Sequence, residues 1–348
     1  MKKKSPVRSL PIPSWPEADR AGWHQACRPG SRLKRGGAAS HLAEVTRDDL
    51  ARRYGYFLDF LERTSRPDRQ AAAAAQVTPE NVQAYLTELQ GRVGSVTVYG
   101  SIYKLRRAAE LIAKGFEFGW LAEIEKDLAL VMQPKSKLDR LVLAEVLLEG
   151  GLTLITEAEN SIQTDLPRAR GVRNGLMIAL LAVHPMRLKN FAGLELARTI
   201  IDLKGPWWIV LPHQSTKSRR PDERRLPDLL KPYINVYVSN WRPILMRSDS
   251  PGKALWLSSN HGGPMSYDGI ERAISETTRS TIGVDVSPHL FHISGASTAA
   301  VHGGHVPHLG SALLHHTNPR VTEEHYNRAS SMSGAQAYAA ITEMYRRR

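Results

Sequence analysis

A chain of 348 residues, 42% of them hydrophobic, holds enough apolar material for two cored domains and predicts an ordinary folded protein. Its formal net charge of +13 predicts an anionic partner, nucleic acid first and an acidic membrane second, since no amphipathic basic helix stands out. The lone Cys27 excludes a disulfide framework or a Cys-based zinc site and suits a reducing cytoplasm. With no membrane-length apolar run and no secretory stretch in "MKKKSPVRSLPIPSWPE", the expectation is a soluble intracellular protein.

Residues 1–38 mix Pro, Gly, Arg and Lys without apolar periodicity and predict a flexible basic arm. From His41 the pattern becomes helical, with Leu42, Val45, Leu50, Tyr54, Phe57, Leu58 and Leu61 near a 3.6-residue period. Three more helical stretches follow. "TPENVQAYLTELQ" opens on a Thr cap and a Pro at the first helical position, "SVTVYGSIYKLRRAAELIAKGFEFG" carries Arg106 and Arg107, and "WLAEIEKDLALVM" closes a helical domain over 39–133. The polar, basic "QPKSKLD" suits a linker, placed at 134–140, before a second domain over 141–348.

That second domain opens with two strongly apolar helices, "RLVLAEVLLEGGLTLI" and "GVRNGLMIALLAVHPMRLKNFAGLEL", the latter interrupted at His184-Pro185. "PWWIVLPHQ" and "ERRLPDLL" then predict two short strands flanking the polar turn "STKSRRPD", a β-hairpin in a helical setting. Helices return with "SYDGIERAISETTRS", "SGASTAAVH", "PHLGSALLH" and the C-terminal "SGAQAYAAITEMYRRR". The fold class is therefore mainly α with a small β-hairpin. No internal repeat, Gly-rich phosphate loop or dinucleotide fingerprint is present.

Five segments of the second domain could carry chemistry: Arg187 in "HPMRLKNFAGLEL", Lys217 in the hairpin turn beside Arg219 and Arg220, His289 and His292 in "SPHLFHISGAS", the His315-His316 pair, and Tyr326 with its neighbours His325 and Arg328. Taken singly each has an ordinary reading. An Arg at a helix edge usually pairs with a carboxylate, a charged hairpin tip is usually solvated, and Tyr338 and Tyr345 sit at helical spacing with Ala and Met as packing residues. His302, His305 and His308 recur every three residues, but without an HExxH motif, a Cys partner or an adjacent carboxylate no metal site is expected.

The order of these segments resembles the catalytic domain of the tyrosine recombinases, the phage-type integrases. "HPMRLKNFAGLEL" is similar to their first arginine box, "SPHLFHISGAS" to the second, usually His-x-x-Arg, and "LLHHTNPRVTEEHY" to the Leu-Gly-His to Tyr ending, with His315 where glycine is common. The resemblance covers roughly residues 40–345 and implies a two-domain C-shaped clamp, a helical core-binding domain plus a mixed catalytic domain. It also implies site-specific DNA strand exchange through a 3′-phosphotyrosine intermediate, with no cofactor and no metal. The implied partners are double-stranded DNA recombination sites and sister protomers in a tetramer, with other recombinases or accessory proteins possible and no membrane; the implied setting is the nucleoid of a bacterial or phage-type cytoplasm.

By the same resemblance Tyr326 is the nucleophile and Arg187 holds two non-bridging phosphate oxygens. Lys217 protonates the leaving 5′-oxygen, His289 assists proton transfer, and His316 donates to a phosphate oxygen. The C-terminal helix docks on a neighbouring protomer. Arg106, Arg107, Arg219 and Arg220 are candidates for DNA contact.

One departure stands out. His292 occupies the place of the second catalytic arginine, and imidazole, with an ordinary pKa near 6.5, lacks arginine's always-charged planar fork. The expectation is a chain that binds DNA but recombines slowly or not at all. The rival reading is a catalytically degenerate DNA-binding accessory or regulatory protein; a third is a topoisomerase of the related tyrosine class.

Overall fold

A computed structural model describes residues 8–64, 68–135, 138–216, 221–246 and 252–302. The chain divides into two compact units, Met1–Ser136 and Lys137–Arg348, with the division inside "QPKSKLD".

The first unit is helical: α1 Glu17–Cys27, α2 Glu44–Thr64, α3 Pro79–Gln90, α4 Ser95–Ile112 and α5 Gly119–Leu130. Thr78 caps α3 by accepting from the Asn81 amide, and Pro79 fills the first turn, where its missing N–H costs nothing. The expected flexible arm over 1–38 is corrected here. Leu10, Trp15 and Trp23 are buried, and an edge-to-face contact joins Trp23 to Trp15 before the aromatic chain continues through Tyr54 and Phe57 to Tyr85. The buried Asp19 carboxylate accepts from Tyr54 Oη at 2.9 Å and from the Ala74 amide at 2.6 Å, which ties α1 to α2 and to the loop before α3. Periodicity missed this segment because a few large aromatic rings, rather than a repeating stripe, supply its buried area.

The second unit is built around two helices, α6 Ala144–Asn160 and α7 Asp165–Val183. They approach closely through small residues. A Cβ at Gly151 would lie 2.8 Å from the Gly175 carbonyl oxygen, and one at Gly175 would lie 2.6 Å from the Gly151 oxygen. Helix α7 is buried on nearly all sides, from Ala169 and Val172 to Leu181, because other elements pack around the faces that α6 leaves open. The chain then forms α8, Leu188–Ala192, and a three-stranded antiparallel sheet in the order β1 Ile200–Asp202, β2 Trp207–Leu211, β3 Asp222–Arg225. β2 alternates, with Trp207, Ile209 and Leu211 facing the core, and pairs with β3 from Trp208↔Arg225 to Leu211↔Asp222.

The sheet corrects the hairpin expectation in two respects. A third strand, β1, pairs with β2, and "ERRLPDLL" is a strand only to Arg225. Pro227 lacks the amide a ladder needs, and Asp228–Leu230 turns into a 3-10 helix. Residues 231–245, for which the pattern predicts no element, form α9 Lys231–Val236, a π-helical turn at Tyr237–Trp241 and α10 Arg242–Leu245. Two long helices complete the described part. In α11, Tyr267–Ile282, Ser266 caps the start and Gly283 ends the helix at φ 78°, a left-handed conformation suited to glycine. The last is α12, Pro288–His302.

His184 joins α7 to the sheet. It caps α7, its amide donating to the Leu180 carbonyl at 2.8 Å, and its buried ring places Nε2 3.2 Å from the Arg225 carbonyl oxygen of β3. Burial, and then the nearby Arg224 charge, push its pKa down from 6.5 to about 4.

Two outcomes follow from these contacts. Trp23→Ala should destabilise the first unit by about 3–5 kcal/mol in denaturant titration, as for a buried aromatic truncated in a core, whereas a flexible arm would show no change. For His184 the unfolded ring takes up a proton as pH falls below 6.5 while the folded ring stays neutral until about 4, so its contribution is full above 6.5 and lost between those values. Over that window the stability of the parent relative to His184→Gln should drop by up to about 3 kcal/mol in denaturant titrations run at successive pH values. A pH-independent difference would remove the buried neutral imidazole from the account.

Candidate active site

Arg187 stands at the start of α8, one turn of chain beyond the buried end of α7. Its carbonyl accepts from the Asn190 and Phe191 amides at 2.8 and 3.0 Å, while the side chain is exposed. Among the described residues no carboxylate pairs with it, so the ordinary edge ion pair does not account for it. What holds the corner is underneath: Met186 and Phe191 are buried, the Phe191 ring lies 4.9 Å from Trp256, and Trp256 Nε1 donates to the Phe191 carbonyl at 2.9 Å.

The strand-like segment bearing Trp256 is held by two buried guanidinium groups that sequence reading did not single out. Arg173 donates to the Leu257 carbonyl at 2.6 Å, and Arg242 donates to the Ala254 carbonyl at 2.7 Å and to that of Gly252. Burial lowers the Arg173 pKa to about 10, which leaves it charged at neutral pH. Carbonyl dipoles around a buried cation satisfy its donors without a counter-charge. The only early signal was an arginine in a long apolar helix.

His289 and His292 lie in the first turns of α12, His289 exposed and His292 half-buried, with ring centroids 6.4 Å apart and tilted by 42°. Their helix is pinned at both ends. Before it, the fully buried Thr278 accepts from the Val286 amide at 2.9 Å, and Asp285 is gripped by Arg140 at 3.1 Å and Arg279 at 2.6 Å. Arg279 and Arg140 hold the Asp285 carboxyl below the usual range despite some desolvation. Toward its other end, Thr298 accepts from the Ala144 amide at 2.8 Å and donates to Glu145, capping α6 from a distant element. Helices α8 and α12 both pack on α11, so Arg187 and the histidine pair belong to one packed body.

The remaining predicted residues divide by placement. Lys217, Arg219, Arg220, His316 and Tyr326 lie outside the described residues, as do Tyr338 and Tyr345. In the first unit Arg106 donates to Glu125 at 2.6 and 3.0 Å and to Glu110 at 2.6 Å, so its guanidinium holds α4 to α5. Arg107 is half-buried over the Tyr103 ring, which in turn stacks with Tyr99.

Among the described residues no group of three or more His, Cys, Asp or Glu could hold a metal ion, and no helix is long and apolar enough to cross a membrane. Comparison with protein-family models and with curated proteins finds no match. Solved structures do match. One is the XerH site-specific recombinase bound to difH substrate in a pre-cleavage complex, 16% identical over 81% of this chain and 76% of that one, with a TM-score of 0.55. Another is the Tn1549 transposon integrase in complex with transposon right end DNA, 13% identical over 86% of this chain and 96% of that one, at 0.53. At such identity the likeness lies in the backbone, a mainly helical chain with one small antiparallel sheet, whose described candidate residues in the second unit lie at the start of α8 and in α12. By that architecture the chain has the tyrosine recombinase and integrase fold.

Proposed function

We propose that this chain is a site-specific DNA recombinase that attacks a backbone phosphate through Tyr326 and is slowed by His292 at the second arginine position. The observation that carries the reading is Arg187: an exposed guanidinium, unclaimed by any carboxylate among the described residues, on a rigid corner of this fold. Both neighbours quoted above were solved with DNA, which supports duplex DNA as the partner, and the net charge of +13 gives a non-specific pull toward phosphate.

The roles follow from the chemistry of each group. The Tyr326 phenol, with an ordinary pKa near 10, forms a bond to phosphorus as the 5′-oxygen leaves; the phosphodiester energy is kept in the phosphotyrosine link. Arg187 offers two parallel N–H donors to the non-bridging oxygens as charge builds there. Lys217 gives its proton to the departing 5′-oxygen. His289, exposed at the positive end of α12, moves a proton at the tyrosine, and His316 donates to a phosphate oxygen. Arg107, Arg219 and Arg220 add contacts to the backbone, and assembly on paired sites brings sister protomers together.

His292 also favours a second reading, an accessory or regulatory DNA-binding protein on the same fold. A nicked suicide duplex carrying a site selected from a random-sequence pool separates the two. Covalent protein–DNA product, absent in Tyr326→Phe, supports the enzyme; tight binding with no covalent product in any variant supports the accessory protein. His292→Arg should raise the cleavage rate by roughly a hundred- to thousandfold, the usual worth of one pre-organised donor, and a revertant no faster than the parent would undo the assignment of that position. Arg187→Ala should lower cleavage in the revertant by a similar factor, about a hundred- to thousandfold, at unchanged thermal stability, because the side chain is exposed.

A further inference from the structure

We propose that His184 is a positioning residue that registers the β2–β3 hairpin against the corner bearing Arg187. The inference rests on reading Arg187 and Lys217 as partners in one reaction, since β3 is the strand that follows the Lys217 turn in the sequence.

The Arg225 carbonyl can only accept, so His184 Nε2 must carry the proton and Nδ1 is the bare nitrogen of the neutral ring. That Nδ1 is buried and has no hydrogen-bond partner among the described residues. An orphaned buried acceptor is a cost that an aliphatic side chain of similar size would not incur. What the imidazole adds in exchange is a single donor, aimed at a single carbonyl, at the last residue of β3. Its backbone is fixed from the other side by the α7 bond to Leu180 and by the buried Met186 that follows. Three residues beyond the ring stands Arg187.

The surroundings keep the ring uncharged. Asp222 and Arg224 of β3, the charged groups that act on it, are joined by a double contact at 2.7 and 3.0 Å and are nearly buried. A protonated ring would add a cation beside Arg224. The donor is thus held in one state, and the strand it grips cannot slide relative to α7 without breaking that bond.

The test uses the full chain with His292→Arg as parent, and compares His184→Leu with His184→Gln, whose amide can supply the same donor. Backbone amide exchange is read in the free protein at 207–211 and 222–225, and single-turnover cleavage on the selected nicked duplex. In His184→Leu exchange in those strands should quicken by at least about tenfold while buried α7 amides keep their rates. Cleavage at saturating DNA should fall by about ten- to a hundredfold with DNA affinity unchanged, the effect of a small displacement between reacting groups. His184→Gln should restore both. Unchanged strand exchange in His184→Leu, faster exchange throughout α7 as well, intact cleavage alongside loosened strands, or no recovery with Gln would each overturn the proposal. If the parent itself forms no covalent product, the recombinase reading fails separately, and the exchange arm still decides whether His184 fixes the hairpin.

Discussion

Helix α7 is buried along nearly its whole length, and the elements that present candidate site residues in the second unit are attached to it. Its close approach to α6 requires Gly151 and Gly175, where a single added carbon would meet backbone atoms. Its C-terminal end leads directly into the Arg187 corner, its capping residue grips β3, and α11 and α12 pack along it. A helix buried from Val172 to Ala182 on nearly every side has little room to rotate or shift, because interiors are packed at crystal-like density. The elements built on it share that constraint, which favours fixed placement of the side chains they present.

Charge is distributed with the same economy. Although the chain is strongly basic, many of its described arginines are consumed internally: Arg63 by Glu88 and Asp59, Arg106 by Glu125 and Glu110, Arg140 and Arg279 by Asp285, Arg173 and Arg242 by carbonyl groups. These pairs fix helices and loops within each unit. Arg187 differs from them in being exposed and in having no carboxylate partner among the described residues. A surplus of +13 sets long-range attraction to an anion, which is distinct from the placement of any one guanidinium.

The contacts that hold the helix bearing His292 lie elsewhere on it and before it. Helix α12 is held at its start by Thr278 and Asp285 and toward its end by Thr298 and Glu145, none of which depends on an arginine at 292. An imidazole in that turn lacks the planar fork of a guanidinium, and the fold's contacts do not require one there. The two readings proposed above, a slow recombinase and an accessory DNA-binding protein, therefore place the same demands on this helix.

The sequence by itself determined the helical class, the linker near residue 135, the cap and proline of α3, and the break at His184-Pro185, because each rests on local periodicity or on backbone rules that act within a few residues. The order of Arg187, His289 and His292 along the chain was equally legible, since spacing is a property of the chain. Tertiary structure decided what those signals could not. It buried Trp15 and Trp23 of the supposed arm in a core, added β1 to the hairpin, turned Arg106 toward Glu125, and gave Arg187 no carboxylate partner among the described residues. It also gave His184 a partner forty-one residues away in β3. Contacts of that kind depend on which distant groups are brought within about 3 Å, and a donor's partner is chosen by packing, not by its neighbours in sequence.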